Sequence, residues 1–485
     1  MRPCRGILLG LGLLAAGVRA DPPPKVFSYP DRIRYDGQCL TINGRDTFIF
    51  SGSFPYFRCP PSLWRERFRR LKEAGCNAVE TDVPWNWQER RMPASPDDYS
   101  QVDLREFQDW LRMAQDEFGF YTIICPGPYL GAEWDGGGFP RWLLTKVPVG
   151  GLRTDEPAFL VWSRHWLKAV CRAIAPAQVT RRPPGHGGVV LMQIESEFDL
   201  DRQVPESRRV PYLRVLYEAA LAGGIDVPLF TCQTRQARGS SDPELAQLFD
   251  AVDTYPRFDV DLTQQRVREV EAAQPDAPAM VIERQAGGHL SEEDPGFTPA
   301  QLTADTLVAI QEGATLLNDG MIFGGTNSGR RGARDQATSA DSAPVRELSG
   351  EGERFPAVVG LGRFLQARGQ ALARAHAIPC EAESGSPEVE IAARRDRAAG
   401  TYLFFRNRSV DAAKRSSAVI WLEHQGETRI EYELEPFGFK VLYLPPHDKI
   451  PLHGTWYPET GASSSLPPMA PAAKIAPSAA PAKGR

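Results

Sequence analysis

The sequence predicts an α/β fold, a (β/α)8 TIM barrel followed by a small all-β domain, and three observations carry this prediction. Short apolar runs alternate with segments of helical spacing from about residue 45 to about residue 370. Eight such runs can be distinguished, which is the strand count of a barrel of this type. After about residue 378 the helical spacing gives way to short strand-like runs between turn residues.

The eight candidate strands of the barrel are rich in β-branched or aromatic residues and are bounded by Gly, Pro, Asn or Asp. They are Phe48–Ser53, Ala78–Val83, Tyr121–Cys125, Val189–Ile194, Pro228–Cys232, Val252–Tyr255, Ala279–Ile282 and Leu317–Phe323. A doubly wound open sheet is the alternative fold, but it usually carries a glycine-rich phosphate-binding turn after its first strand. Here the first strand runs into Gly52-Ser53-Phe54-Pro55, which is no such turn.

Segments with helical spacing of apolar residues lie between these strands. They include Leu63–Ala74, Leu104–Phe118, Phe159–Ile174, Tyr212–Ala222, Thr263–Ala273 and Ala300–Glu312. The barrel is therefore predicted to occupy residues 21–377, with each helix returning the chain to the start of the next parallel strand.

The predicted all-β domain covers residues 378–447. Its candidate strands are Val389–Ala392, Thr401–Phe405, Ala418–Glu423, Arg429–Leu434 and Phe439–Tyr443. The last segment, 448–485, is rich in Ala, Ser and Pro towards its end and has too little apolar surface to order itself. It is predicted to be a flexible tail.

Residues 1–20 have the pattern of a signal peptide. Arg2 and Arg5 precede the apolar run Gly6–Val18, and Ala20 offers a small residue at the cleavage position. The run is shorter than the roughly 20 residues that a membrane span requires. We therefore expect export to the periplasm or secretion, with no membrane span once this segment is removed.

Charge and cysteine content exclude several other classes of protein. The formal net charge of -5 gives no reason to expect nucleic acid as a partner. Seven cysteines follow the predicted signal peptide, without a Cys-x-x-Cys pair or neighbouring histidines, which argues against a zinc site. Seven is an odd number, so at least one thiol is predicted to be free or paired between chains. Several thiols lie in apolar runs and are interpreted as buried and inert. We expect neither a metal nor an organic cofactor.

Acidic residues end the fourth and seventh candidate strands. The fourth runs into Glu195-Ser196-Glu197, and the seventh runs into Glu283. Because barrel active sites form at the carboxyl ends of the strands, carboxylates on these two strands can flank one glycosidic bond. A separation of about 5 Å would lead to a covalent intermediate and retention of configuration. Glu195 and Glu197 are both candidates for the acid. The alternative interpretation is that a strand-end glutamate simply meets solvent or an arginine.

The loop after the third strand, residues 126–143, combines rigid turns with tryptophans and acids. Trp134 could stack on the apolar face of a sugar, and Glu133 could accept hydrogen bonds from sugar hydroxyls. Trp85 and Trp87 follow the second strand at the same rim. The alternative interpretation is a structural loop whose tryptophans only pack.

A colinear series of motifs resembles family 35 of the glycoside hydrolases, the β-galactosidase family, over residues 33–445. The matching stretches include Ser51–Arg58, Val83–Trp87, Gly127–Tyr129, Ala132–Trp134, Gly137–Leu143, Gln193–Glu197, Ile282–Glu283 and Gly324–Asn327. The resemblance implies that Glu197 is the acid/base and Glu283 the nucleophile. It also implies that Ala132 and Glu133 contact the sugar in the first subsite.

The sequence departs from the family pattern at several sugar-binding positions. Ser196 stands where the family usually has Asn, and Asp82 stands where it usually has Tyr. The segment 284–288 replaces an aromatic-rich stretch, and 338–344 lacks the usual tyrosines. The resulting expectation is a secreted retaining exo-β-glycosidase, most like a β-galactosidase, that acts on a carbohydrate or glycoconjugate. The alternatives are a glycosidase for another sugar, such as an amino sugar, or a carbohydrate-binding protein with impaired catalysis.

Overall fold

The structure is a computed structural model that describes residues 23–132, 134–255, 259–286, 298–320, 322–324, 345–346, 350–422, 426–446 and 455–457. The predicted signal peptide and most of the predicted tail lie outside these ranges. The chain first forms an antiparallel sheet of β1 (Ile33–Tyr35), β2 (Leu40–Ile42) and β3 (Arg45–Thr47). The sequence did not predict this sheet, because strands of three residues are too short to show an alternating pattern.

A closed barrel of eight parallel strands follows, which confirms the predicted fold class. The strands are β4 (Ile49–Ser53), β5 (Ala78–Asp82), β6 (Tyr121–Cys125), β7 (Gly188–Gln193), β8 (Leu229–Cys232), β9 (Phe249–Thr254), β10 (Met280–Gln285) and β11 (Leu316–Gly320). Every residue of β7, β8 and β9 is buried, as expected for strands covered on both faces. The seventh strand extends three residues further than predicted, so Glu283 lies within β10 rather than after it.

The helices surround the barrel. They are α1 (Pro61–Glu73), α2 (Trp85–Gln88), α3 (Arg105–Arg112), α4 (Pro157–Ile174), α5 (Glu206–Ala222), α6 (Val260–Ala273), α7 (Pro299–Glu312) and α8 (Phe355–Leu372). A π-helical turn, Met113–Glu117, extends α3. Thr298 and Gln301 form a reciprocal capping box that fixes the start of α7. No helix in the described part of the chain is both long and apolar enough to cross a membrane.

The remaining strands are short or belong to the C-terminal all-β domain. They are β12 (Val345–Arg346), β13 (Gly350–Glu351), β14 (His376–Ala377), β15 (Cys380–Ser384), β16 (Val389–Asp396), β17 (Gly400–Asn407), β18 (Lys414–Leu422), β19 (Gly426–Leu434), β20 (Phe439–Leu444) and β21 (Thr455–Tyr457). A five-stranded sheet, in the order β14-β16-β17-β20-β21, accompanies a three-stranded sheet, β15-β18-β19. The predicted all-β architecture after the barrel is therefore confirmed.

Strand β17 joins this domain to the barrel. Tyr402 and Phe404 are buried in the same apolar core as the barrel strands, whereas Leu403 and Phe405 belong to a second core between the two sheets. This alternation is the two-residue period of a strand buried on both faces. Strand β21 lies inside the segment 448–485 that was predicted to be a flexible tail. It is held against the all-β domain because the ring centroid of Trp456 lies 5.0 Å from that of Phe405.

Candidate active site

A cavity opens at the carboxyl ends of the barrel strands, where the fold predicts an active site. It encloses about 1160 Å³, part of which is open to solvent. Its wall includes Ser53, Glu80, Asp82, Cys125, Tyr129, Gly131, Ala132, Gln193, Glu195, Ser196, Tyr255, Ile282, Glu283 and Phe323. These residues lie on β4, β5, β6, β7 and β10 or follow β6, β7, β9 and β11, so the barrel brings four of the predicted site residues together: Asp82, Ala132, Ser196 and Glu283.

Glu195 is held by a buried network. Its side chain has no solvent exposure, and its two carboxylate oxygens accept hydrogen bonds from Arg153 Nη2 and Tyr212 Oη, each at 2.5 Å. The Ser196 amide donates to the same carboxylate at 3.1 Å. These donors occupy the carboxylate, so Glu195 supports the turn after β7.

Glu197 follows in a left-handed backbone conformation, with φ of 49°, at the start of the 3₁₀ turn Phe198–Leu200. Its carboxyl group packs against Gly131, since a Cβ at position 131 would collide with Glu197 Oε2. Gly131 lines the cavity, so the Glu197 carboxyl lies next to a residue of the cavity wall. Glu197 is therefore placed differently from Glu195, although the two residues are only two positions apart.

Glu283 enters the cavity from β10, on the other side of the barrel mouth. Asp253 on β9 is its partner in the parallel strand register. The Tyr255 hydroxyl donates a hydrogen bond to Glu283 Oε2. Burial, followed by the negative charges of Asp253 and Glu197, raises the pKa of Glu283 well above its usual value. The charge of Glu197 is thus close enough to disfavour the ionisation of Glu283.

Three of the predicted substrate-binding residues also line this cavity. Ser196 is buried, and its carbonyl accepts a hydrogen bond from Arg153 Nη2 at 2.6 Å. Asp82 is the last residue of β5. The Ala132 carbonyl accepts a hydrogen bond from Arg58 Nη2 at 2.5 Å. Glu133 lies outside the described residues.

Trp134 is placed beside the cavity wall rather than on it. Its indole Nε1 donates to Asn86 Oδ1 at 2.7 Å, and its ring packs edge-to-face on Phe57 at 4.7 Å. Arg58 lies over the same ring, 5.4 Å from its centroid. Because Arg58 also holds the Ala132 carbonyl, Trp134 supports the cavity wall at Ala132.

The sequence did not single out Asp253, Tyr255 or Arg153. Asp253 and Tyr255 lie at the end of the sixth barrel strand, where the rule applied to the fourth and seventh strands would have found them. Arg153 lies in an irregular segment before α4 and has no motif that marks it. Its place under the fourth strand depends on tertiary packing.

Glu80, Asp82 and Cys125 form a group in which possible metal-ligating atoms lie within 4.8 Å of one another. Burial, with the charges of Glu80 and Asp82, raises the pKa of the Cys125 thiol well above its usual value. The protonated thiol is a poor metal ligand compared with the thiolate. Cys125 Sγ in turn donates a hydrogen bond to Gln193 Oε1 at 3.1 Å. The group is thus better described as a hydrogen-bonded part of the cavity wall.

A closed parallel barrel, with glutamates from its fourth and seventh strands at one cavity, is the arrangement found in glycoside hydrolases that use two carboxylates. The sequence profile of the glycosyl hydrolases family 35 matches residues 39–361. The chain belongs to this family, and the resemblance recognised from its motifs is confirmed.

Curated relatives are similar in sequence over the same region. A "Beta-galactosidase" of Canis lupus familiaris is 30% identical over 330 residues, which cover 67% of this chain and 47% of the dog protein. A "Probable beta-galactosidase A" of Aspergillus fumigatus is 30% identical over 366 residues, covering 69% of this chain and 34% of the fungal protein. The chain thus spans about a third of the length of the fungal relative and about half of the dog relative.

Solved structures share the fold at low sequence identity. An exo-beta-1,4-mannosidase from Opitutaceae bacterium strain TAV5 aligns with a TM-score of 0.53 and 14% identity, over 70% of this chain and 63% of that chain. A beta-galactosidase from Rahnella sp. R3 aligns with a TM-score of 0.52 and 11% identity, over 71% of this chain and 59% of that chain. At these identities the likeness supports the barrel fold and says nothing further about the substrate.

Proposed function

We propose that this protein is a retaining exo-β-glycosidase, most like a β-galactosidase, with Glu197 as acid/base and Glu283 as nucleophile. The observation that supports the proposal is that Glu283 lines the cavity while the Glu197 carboxyl packs against Gly131 of the same cavity wall, in a chain of family 35. The neighbouring Glu195 is engaged by Arg153 and Tyr212, which favours Glu197 as the acid.

The proposed reaction takes two steps. In the first, the Glu283 carboxylate attacks the anomeric carbon while Glu197 gives its proton to the leaving oxygen, so the glycosidic bond breaks and a glycosyl ester forms. In the second, Glu197 takes a proton from water, whose oxygen attacks the anomeric carbon and releases Glu283. The Tyr255 hydroxyl stabilises the ionised form of Glu283 by hydrogen bonding, against the burial that disfavours it.

We assign sugar binding to Ala132, Glu133, Ser196, Asp82 and Trp134. The carboxylates of Asp82 and Glu133 can accept hydrogen bonds from adjacent sugar hydroxyls, and the Ser196 hydroxyl can bond the 2-hydroxyl. Trp134 acts through packing, because Arg58 joins its ring to the Ala132 carbonyl. Delivery outside the cytoplasm through residues 1–20 is part of the same proposal.

A panel of aryl β-glycosides that includes galactoside, glucoside, mannoside and amino-sugar glycosides tests this function. The wild type is expected to release phenol from one glycone. Glu283→Gln should lower kcat/KM by at least about 10³-fold, because it removes the nucleophile and leaves the shape of the cavity. Glu218→Gln, at an exposed position of α5, is the matched control and should keep full activity.

Two outcomes of this panel favour the alternatives, both of which are motivated by Ser196 and Asp82. If an amino-sugar glycoside is cleaved in preference to the galactoside, the proposed substrate changes and the proposed two-step mechanism stays. Sugar binding by the wild type without turnover of any glycoside, unchanged in Glu283→Gln, would overturn the catalytic proposal in favour of a carbohydrate-binding protein.

A further inference from the structure

Arg153 lies beneath the turn that carries Glu197 and does not line the cavity. It precedes α4, in a left-handed backbone conformation with φ of 57°, and its side chain is 7% exposed. A buried guanidinium requires partners for its charge and its hydrogen-bond donors. Its ion-pair partners are Glu195, at 2.5 Å, and Asp201, at 3.5 Å, which stand before and after Glu197 in the chain.

One nitrogen of Arg153 holds two successive residues of this turn. Nη2 donates to Glu195 Oε1 at 2.5 Å and to the Ser196 carbonyl at 2.6 Å. The amide of Ser196 also donates to Glu195 Oε1 at 3.1 Å. Both peptide units of Ser196 are therefore bound. Arg153 holds the carbonyl of the unit directly before Glu197, and the Glu195 carboxylate holds the amide of the preceding unit.

The same guanidinium contacts the residue after Glu197 and the loop opposite. Its central carbon lies 5.0 Å from the ring centroid of Phe198 and 3.7 Å from that of Tyr129. Tyr129 lines the cavity. Arg153 thus contacts both neighbours of Glu197 in the sequence.

The backbone of this turn needs such support. Glu195 has φ of 69° and Glu197 has φ of 49°. These left-handed conformations are uncommon for residues with a Cβ and persist where the surroundings determine them. Without Arg153 the Glu195 carboxylate would keep Tyr212 as its side-chain donor but lose its cation. The turn would then be able to relax towards ordinary backbone angles.

We propose that Arg153 is a positioning residue that sets where Glu197 presents its carboxyl group, and that it thereby governs protonation of the leaving oxygen. This inference rests on the proposed function. Glu283, on β10, makes no hydrogen bond or ion pair with Arg153 among the described contacts, so the nucleophile should keep its place when Arg153 is changed. Loss of Arg153 should therefore weaken the reaction most where the leaving group needs a proton.

The test compares Arg153→Lys with the wild type on aryl β-glycosides whose leaving groups range from dinitrophenol to unsubstituted phenol. Lysine keeps the charge but lacks the planar set of donors that bonds two acceptors at fixed angles. We expect kcat/KM to stay within about threefold of the wild type for the dinitrophenyl glycoside. For the phenyl glycoside we expect a fall of about 100-fold, the effect of a misplaced general acid. Arg164→Lys, on the exposed side of α4, is the control.

Glu195→Gln provides a second route to the same result, because it removes the charge that Arg153 pairs with and keeps the side-chain shape. It should give the same dependence on the leaving group, and it keeps the proposal testable if Arg153→Lys does not fold. An equal fall for every leaving group, or no fall at all, in a folded variant would overturn the proposal. If the wild type cleaves none of these glycosides, the proposed function fails and this inference fails with it. If the wild type cleaves these glycosides but the variants lose the same factor in kcat/KM for every leaving group, this inference fails and the proposed function stands.

Discussion

Glu195 and Glu197 show how the surroundings, rather than the residue type, decide the task of a carboxyl group. From the pattern alone both were candidates for the acid, because residues two apart on a regular strand point to the same face. The strand ends at Gln193, and the two glutamates lie in a turn with positive φ. This turn directs Glu195 into a network with Arg153 and Tyr212, and it packs the Glu197 carboxyl against Gly131.

Asp253 is a buried carboxyl group whose ionisation the fold opposes. Its Oδ1 accepts a hydrogen bond from Cys232 Sγ at 2.7 Å, and its Oδ2 has no partner in the described part of the chain. Burial, with the negative charges of Glu197 and Asp250, raises its pKa well above the usual value. The folded state therefore binds the proton more tightly than the unfolded state, whose aspartates titrate near about 3.9. Stability is lost as the pH rises from that value through the folded pKa.

Asp253→Asn should remove this loss of stability, because the amide has a similar shape and does not ionise. We expect the free energy of unfolding of the variant, relative to the wild type, to increase by about 1 kcal/mol or more between about pH 5 and about pH 8. Denaturant unfolding at the two pH values measures this difference. Asp97→Asn, at an exposed position, is the control and should show no such trend. A relative stability of Asp253→Asn that falls with pH would contradict the account.

At the scale of elements, a buried ion pair fastens α4 to the segment that follows β5. His165 Nε2 lies 2.9 Å from Glu89 Oε1, and His165 Nδ1 lies 2.8 Å from the Pro96 carbonyl. Both ring nitrogens face acceptors, so the protonated imidazolium can donate two hydrogen bonds and the neutral ring only one. Burial opposes the charge on His165, but the hydrogen bond and charge of Glu89 and the carbonyl of Pro96 outweigh it and raise the pKa.

A raised histidine pKa stabilises the fold fully below the unfolded value of about 6.5, and this contribution is lost as the pH rises through the folded pKa. His165→Gln should therefore lower the free energy of unfolding by about 2 kcal/mol at about pH 5, which is the size of a charge-assisted hydrogen bond. The decrease should be smaller at about pH 8. Thermal unfolding at both pH values gives the comparison. The control, His186→Gln at an exposed position, should leave the free energy of unfolding unchanged at both pH values. A cost for His165→Gln that is larger at the higher pH would show that the pair is not an imidazolium–carboxylate pair.

The elements that the sequence predicted are those with a strong local pattern. The eight barrel strands are buried along most of their length and each contains a short apolar run, which marked them, although β9 begins three residues before its predicted start. The short strands β1 to β3 carry too few residues to show alternation. The π-helical turn after α3 was read as part of one helix, because its apolar spacing resembles that of an α-helix.

At the scale of the whole molecule, the order of strands along the chain determined where the site would form. Consecutive parallel strands that close a barrel must place the ends of the fourth and seventh on opposite sides of one mouth. Local sequence could not determine which side chains support the site. Arg153 reaches Glu195 across 42 positions, and Arg58 reaches Ala132 across 74. Such contacts arise only when the barrel has closed.

The all-β domain shares a hydrophobic core with the barrel. Phe404 and Val441 lie in the core that includes the barrel, and Arg406 on β17 pairs with Asp261 on α6 at 2.5 Å. The sequence predicted two successive architectures from their different periodicities. These periodicities did not indicate a shared core, because a strand such as β17 that is buried on both faces has the same apolar pattern whether its second face meets a helix or a sheet.

The central claim, a double displacement through Glu283, is tested most directly by trapping the covalent intermediate. The protein is incubated with a 2-deoxy-2-fluoro-β-glycosyl fluoride of the glycone that the aryl panel identifies, digested, and mapped by mass spectrometry. The fluorine at C2 slows both steps by destabilising the oxocarbenium-like transition states, and the good fluoride leaving group lets the ester accumulate. The account predicts one added fluoroglycosyl group, on the peptide that contains Glu283, and none in Glu283→Gln. An adduct on another residue, or turnover with inversion of configuration and no adduct, would contradict it.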